Sequence, residues 1–211
     1  MSAGRLIDGP RVVLKNLINP GVVMNRFQNL SLDDFRAALT RPQISSMQII
    51  QAFLAFGVVL FAGVVVLMNI SLGSPERELP QDFAVQTIWL MTVVHLVLAV
   101  IIYLAAPRIE NLIYKQAKNN TAASATAIPL AVQALGVMRT ARIVRLALYE
   151  GVALLGLVIC YLAMTMNVLV AHPLYWVNAA TAVIMIAYVI STFPNAERLT
   201  TIFHEKLRQA S

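Results

Sequence analysis

Four stretches of this 211-residue chain are apolar on every face, running approximately from Met47 to Ile70, Phe83 to Ala106, Arg145 to Met166 and Pro173 to Phe193. Each is near the ~20 residues that cross a hydrocarbon core of about 30 Å at about 1.5 Å per residue. A helix on the surface of a soluble domain keeps one polar face, and here that face is missing in every long stretch. The pattern predicts an all-α membrane protein of four transmembrane helices, paired in sequence as two hairpins. Its polar intervals divide the chain into an N-terminal segment (1–43), a first hairpin with an interfacial helix (44–118), a linker (119–138) and a second hairpin with a C-terminal amphipathic helix (139–211).

Short amphipathic cytoplasmic helices are expected outside the spans. Ser31 followed by Asp34 has the spacing of an N-cap, Leu32, Phe35 and Leu39 recur at helical intervals, and Pro42 marks the exit. With Arg36 and Arg41 beside it, this stripe suits a helix lying on lipid headgroups, and equally one packed on the protein's own loops. Ala106-Pro107-Arg108-Ile109-Glu110-Asn111-Leu112 resembles Phe193-Pro194-Asn195-Ala196-Glu197-Arg198-Leu199. In both, the proline is expected to close a span and the glutamate three residues later to open an amphipathic helix. Gln48-Ile-Ile-Gln51 and Gly57 likewise line up with Arg142-Ile-Val-Arg145 and Gly151 at a constant offset. The two halves read as a diverged parallel repeat, unlike the inverted repeats of many transporters.

Charge adds an orientation to this picture. Of the 16 Lys and Arg residues, all but Arg77 lie before the first span, around the central connection or after the fourth span. Positive charge in short loops stays cytoplasmic, so both termini and the 107–141 connection are expected on the cytoplasmic side of the cell inner membrane. Hydrophobic residues make up 59% of the chain and charged residues 12%, against about 45–50% and about 25% in a soluble domain. The net charge of +6 is scattered beside the spans and forms no stripe with interleaved aromatics. That points to the lipid bilayer as partner and away from nucleic acid. Residues 1–17 lack a signal peptide's apolar core and cleavage site, so insertion is expected to begin with the first span.

Glu150 and His95 stand out as ionisable groups within spans and are the candidates for ion or proton handling. Glu150 lies five residues beyond Arg145, about 7.5 Å deeper in a regular helix. The arginines of its own helix do not reach it, so its partner is expected from another helix or from water. His95, near the middle of the second span, is placed to bond across to a neighbouring helix. His172 and His204 belong to other depths, which leaves no metal cluster. Gly57, Gly63, Ala147 and Gly151 are candidates for close helix packing, within the bundle or against another subunit. Tyr175 and Trp176 fit an aromatic belt, and Cys160 reads as a small buried hydrophobe. No nucleophile with its base, phosphate-binding loop or paired-carboxylate site is legible, so neither catalytic residues nor cofactors are expected.

Arg139-Thr140, Ile143, Arg145, Ala147-Leu148, Glu150-Gly151, Ala153-Leu154 and Gly156-Leu157-Val158 together resemble a pattern in uncharacterised small bacterial four-span membrane proteins. That resemblance covers a short part of the chain and implies a bacterial membrane protein without implying an activity. The carboxylate set among small residues is also similar to the proteolipid ring subunit of rotary ATP synthases. Here, however, Glu150 falls near the end of an entering helix and not in the middle of a returning one, and the first span lacks a dense glycine repeat. The expectation is a non-enzymatic accessory or scaffolding subunit that contacts other membrane subunits or itself. A small transporter or proton-coupled component using Glu150 and His95 is the alternative.

Overall fold

The computed structural model describes residues 25–71, 80–119 and 128–208. The signal-peptide reading of residues 1–17, the loop around Arg77 and the middle of the expected linker lie outside them. The elements are α1 (Leu32–Ala38), α2 (Arg41–Ser71), α3 (Asp82–Asn119), α4 (Leu130–Thr165), α5 (Val168–Ala171), a 3-10 segment (Pro173–Ala179), α6 (Ala180–Ser191), α7 (Ala196–Ile202) and a π-helical turn (Phe203–Arg208). Among the described residues there is no strand. Four helical stretches are long and apolar enough to cross a membrane: α2, α3, α4, and the 3-10 segment continuing into α6.

Local sequence accounts for most of the boundaries. Ser31 caps α1, its hydroxyl accepting from the Asp34 N–H at 3.0 Å. Pro42 falls in the first turn of α2, where its missing N–H has no helical partner to lose. Asn167 adopts φ 60°, the left-handed conformation that asparagine tolerates better than most residues, and the chain turns there out of α4. Asn195 caps α7 by accepting from the Arg198 N–H at 2.8 Å, so Pro194 lies in the break between α6 and α7.

Pro107 behaves differently. It does not close the second span: α3 continues unbroken for 38 residues with Pro107 inside it. A proline there removes a hydrogen bond to the Tyr103 carbonyl and crowds the preceding turn. Beyond it, the helix is held to α4 by the Glu110–Arg145 ion pair at 2.7 Å and by the buried ring of Tyr114. Tertiary contacts thus carry the helix through a residue that local rules make a terminator. The linker boundary also moves, because residues 130–138 belong to α4 and contribute buried Ala131, Ala134, Leu135 and Met138.

The bundle is organised around α4. Half of its most apolar window is buried, against 17% for α2 and 22% for α3. The expected first hairpin is not a packed pair, since α2 and α3 make little direct contact and each packs on α4 instead. The physical reason is side-chain size. Ala141, Ala153, Gly156 and Ala163 line the buried side of α4 and let its neighbours approach closely. The outer faces of α2 and α3 carry Phe53, Phe56, Leu67, Ile70, Phe83, Trp89, Val94 and Leu104, all exposed. Apolar surface on that scale has hydrocarbon as its natural surroundings. These features define a multi-pass helical membrane bundle.

At the basic end, Phe35 of α1 stacks on Phe203, ring centroids 4.1 Å apart and planes 8° from parallel. The α1 stripe is therefore covered by the protein itself. Leu199, Leu207, Met138 and Tyr114 complete that core.

Candidate functional site

Three arrangements bear on function: a buried polar knot in the middle of the spans, an isolated carboxylate on α4, and a charged cleft at the basic end. The knot is centred on His95, whose side chain is fully buried. Its Nδ1 lies 2.9 Å from Asn178 Oδ1. Asn178 Nδ2 donates to Thr92 Oγ1 at 2.9 Å and to the Tyr175 carbonyl at 3.0 Å, which turns the amide oxygen toward the imidazole. His95 Nδ1 is then the donor. On the other side of the ring, Nε2 lies 3.2 Å from the Val152 carbonyl oxygen and 3.4 Å from Thr181 Oγ1. A ring with one proton has a bare Nε2, which competes with the Asn178 carbonyl oxygen, 3.1 Å from Thr181 Oγ1, for the one proton of the Thr181 hydroxyl. The contact with the Val152 carbonyl becomes a hydrogen bond only when the ring carries a second proton.

Gly156 makes the knot possible. A Cβ there would stand 2.8 Å from His95 Cε1 and 2.9 Å from Thr181 Oγ1, and would collide with the Asn178 carbonyl oxygen. Side chains of that density close the centre of the bundle and join α3, α4 and the fourth span through polar groups that satisfy one another. Neither Asn178 nor Gly156 was among the residues expected to matter. The signal for Asn178 was available, because an amide inside an apolar span needs partners as surely as an ionisable group does.

Glu150 lies on a different side of α4. Two residues separate it from Val152, which places the two about 200° apart around the helix. Its Oε1 would be 3.5 Å from a Cβ on Gly57 of α2, an ordinary contact distance, so the carboxylate lies beside Gly57 without requiring a glycine there. Among the described residues no hydrogen bond or ion pair to Glu150 is formed, and the side chain is half-buried. Ala147 and Gly151 lie to one side of it, about 60° and about 100° around the helix, both exposed, and open space lies over Gly151. Gly63 also faces open space. His95 and Glu150 are thus not brought together.

At the basic end, Arg145 pairs with Glu110 and lies over the rings of Tyr188 and Tyr149, at 4.7 and 5.5 Å from their centroids. Arg142 Nε donates to Gln51 Oε1 at 3.2 Å, and its terminal nitrogen donates to the Thr192 carbonyl. Gln51 Nε2 in turn donates to the Val189 carbonyl at 2.8 Å. The repeat alignment matches Gln48 with Arg142 and Gln51 with Arg145, and gives no sign of the bond that joins Gln51 to Arg142 across α2 and α4. Among the described residues no group of three His, Cys, Asp or Glu converges as a metal site. Cys160 is buried with Sγ 3.7 Å from the Tyr175 carbonyl.

No family model, curated protein or solved structure matches this chain.

Proposed function

We propose that this protein is a non-enzymatic accessory or scaffolding subunit of a larger assembly in the bacterial inner membrane. In this reading both termini and the 107–141 connection are cytoplasmic, following the distribution of Lys and Arg. Its halves are diverged parallel copies of one unit. The observation that carries the proposal is Glu150, a carboxylate within a span that has no partner among the described residues and stands beside the small residues Gly57, Ala147 and Gly151. An uncompensated carboxylate facing hydrocarbon is costly, and a cation or hydrogen-bond donor on a docking helix relieves that cost. Ala147 and Gly151 leave room for such a helix to come close.

The transporter alternative draws on one observation of its own, the His95 Nε2 that faces a carbonyl it can bond only when doubly protonated. Against it, Glu150 and His95 lie on opposite sides of α4, and the knot around His95 is closed.

Purification of the full chain from its native membrane in mild detergent tests the two readings. Under the first, fixed partners or a second copy co-purify, and Glu150→Gln or Gly151→Leu releases them without lowering the thermal midpoint of the chain itself. A monodisperse lone chain, unaltered by either substitution, overturns it. If Glu150→Gln instead abolishes a measurable proton or ion flux in proteoliposomes while assembly is unchanged, the transporter reading takes its place.

A further inference from the structure

The cleft at the basic end has a charge imbalance that its internal contacts leave in place. It encloses about 420 Å³ between α3, α4, the end of α6, α7 and the π-helical turn. Four cations line it, Arg142, Arg145, Arg198 and Lys206, against one carboxylate, Glu110. Arg145 takes up Glu110 at 2.7 Å. The other three donate only to neutral acceptors among the described residues. Arg142 bonds Gln51 and the Thr192 carbonyl, Arg198 the Phe193 carbonyl at 3.3 Å, and Lys206 the Asn111 side chain at 3.2 Å. Three like charges therefore face one cleft without a counter-charge.

Their unused donors define what would fit. A guanidinium has five N–H groups and an ammonium three. Arg142 employs two of its five, and Arg198 and Lys206 one each. Two planar forks and an ammonium around one opening match the several acceptor oxygens of a tetrahedral anion better than the two of a carboxylate. The position suits the same chemistry. Arg142 and Arg145 stand where the apolar part of α4 begins, and Thr192 where α6 ends, which is the depth of lipid headgroups.

We propose that this cleft binds a phosphate group, supplied by an anionic lipid headgroup or by free phosphate, with Arg142, Arg198 and Lys206 as its ligands. The inference is independent of whether Glu150 docks a partner helix.

Full-length protein in nanodiscs is the material for the test. Native mass spectrometry reads the lipid retained from discs of mixed phosphatidylglycerol and phosphatidylcholine, and thermal unfolding reads the effect of inorganic phosphate in discs of phosphatidylcholine alone. The expected result is retention of phosphatidylglycerol over phosphatidylcholine, stabilisation by inorganic phosphate, or both. The first assigns the site to lipid and the second to a soluble phosphate. Arg198→Gln with Lys206→Gln, both exposed positions, should weaken the response about 25-fold. Arg36→Gln with Arg139→Gln removes the same charge from the same end and should leave it unchanged. No preference in either arm overturns the proposal, and so does an equal loss in the two double variants, which would mean diffuse attraction of charge. Because Arg142 also ties α2 to α6, it is left intact.

Discussion

Gly156 and His95 fit against each other with no room for a methyl group: a Cβ on the glycine would stand 2.8 Å from His95 Cε1. The same Cβ would meet the Asn178 backbone, which cannot rotate away as a side chain can. Gly156→Ala is therefore expected to lower stability by about 1–3 kcal/mol through overpacking, seen as a fall in thermal midpoint in detergent. Gly151→Ala, over open space, should leave stability unchanged or raise it by a few tenths, up to about 1 kcal/mol, through helix propensity. Equal effects at the two glycines would mean that the knot is not packed as described.

The bond between His95 and Asn178 is measurable by itself. His95→Leu and Asn178→Leu each leave a buried polar group without its partner, whereas the double variant removes both. A double-mutant cycle on unfolding should return a coupling of about 0.6–1.7 kcal/mol, the range for hydrogen bonds between membrane helices. A coupling of zero would place the two side chains apart.

The spans were legible because hydrocarbon imposes one requirement on every residue that crosses it. Met47 to Ile70 and Phe83 to Ala106 fall wholly within α2 and α3. Packing was much less legible. His95 and Asn178 are 83 residues apart in the chain, and hydropathy says nothing about which faces meet. The central place of α4 rests on where Ala141, Ala153, Gly156 and Ala163 fall around the helix, a pattern diluted in sequence by the exposed Ala147 and Gly151. Pro107 misled for the opposite reason. Its local signal is strong, and contacts distant in sequence override it through Glu110 and Tyr114. Glu150 was found from sequence by its type and setting, while its placement on the side of α4 away from His95 needed the rotation of α4 to be known.

The seam between α1 and the C-terminal turn makes a separate prediction. Phe35 is fully buried against Phe203, and the neighbouring Arg36 and Arg41 are exposed. Phe35→Ala removes a stacked ring from this core, a loss of about 3–5 kcal/mol where the site cannot collapse. That exceeds what a seven-residue helix can supply alone. Trypsin should then cut after Arg36 much faster than in the parent chain, while the fragment beginning at Ala37 remains in the membrane fraction. Unchanged cleavage would show that α1 is held by something other than the Phe35–Phe203 stack.

Arg145 and Glu110 join α4 to the part of α3 beyond Pro107, with side chains only 23% and 17% exposed. Removing one partner leaves the other charge poorly hydrated, so Arg145→Met or Glu110→Leu alone should destabilise by about 2–3 kcal/mol. Replacing both removes the two desolvation penalties together with the attraction, and apolar substitutes for buried pairs are often close to neutral. The double variant should accordingly unfold closer to the parent than either single variant does. If α3 is held through Pro107 by this pair, the single variants should also expose residues 108–119 to faster amide exchange while residues 83–100 keep their protection. The double variant, with leucine and methionine in apolar contact, should restore part of that protection. Exchange in 108–119 that ignores all three substitutions would mean that Tyr114 and its neighbours carry the helix past the proline without the ion pair.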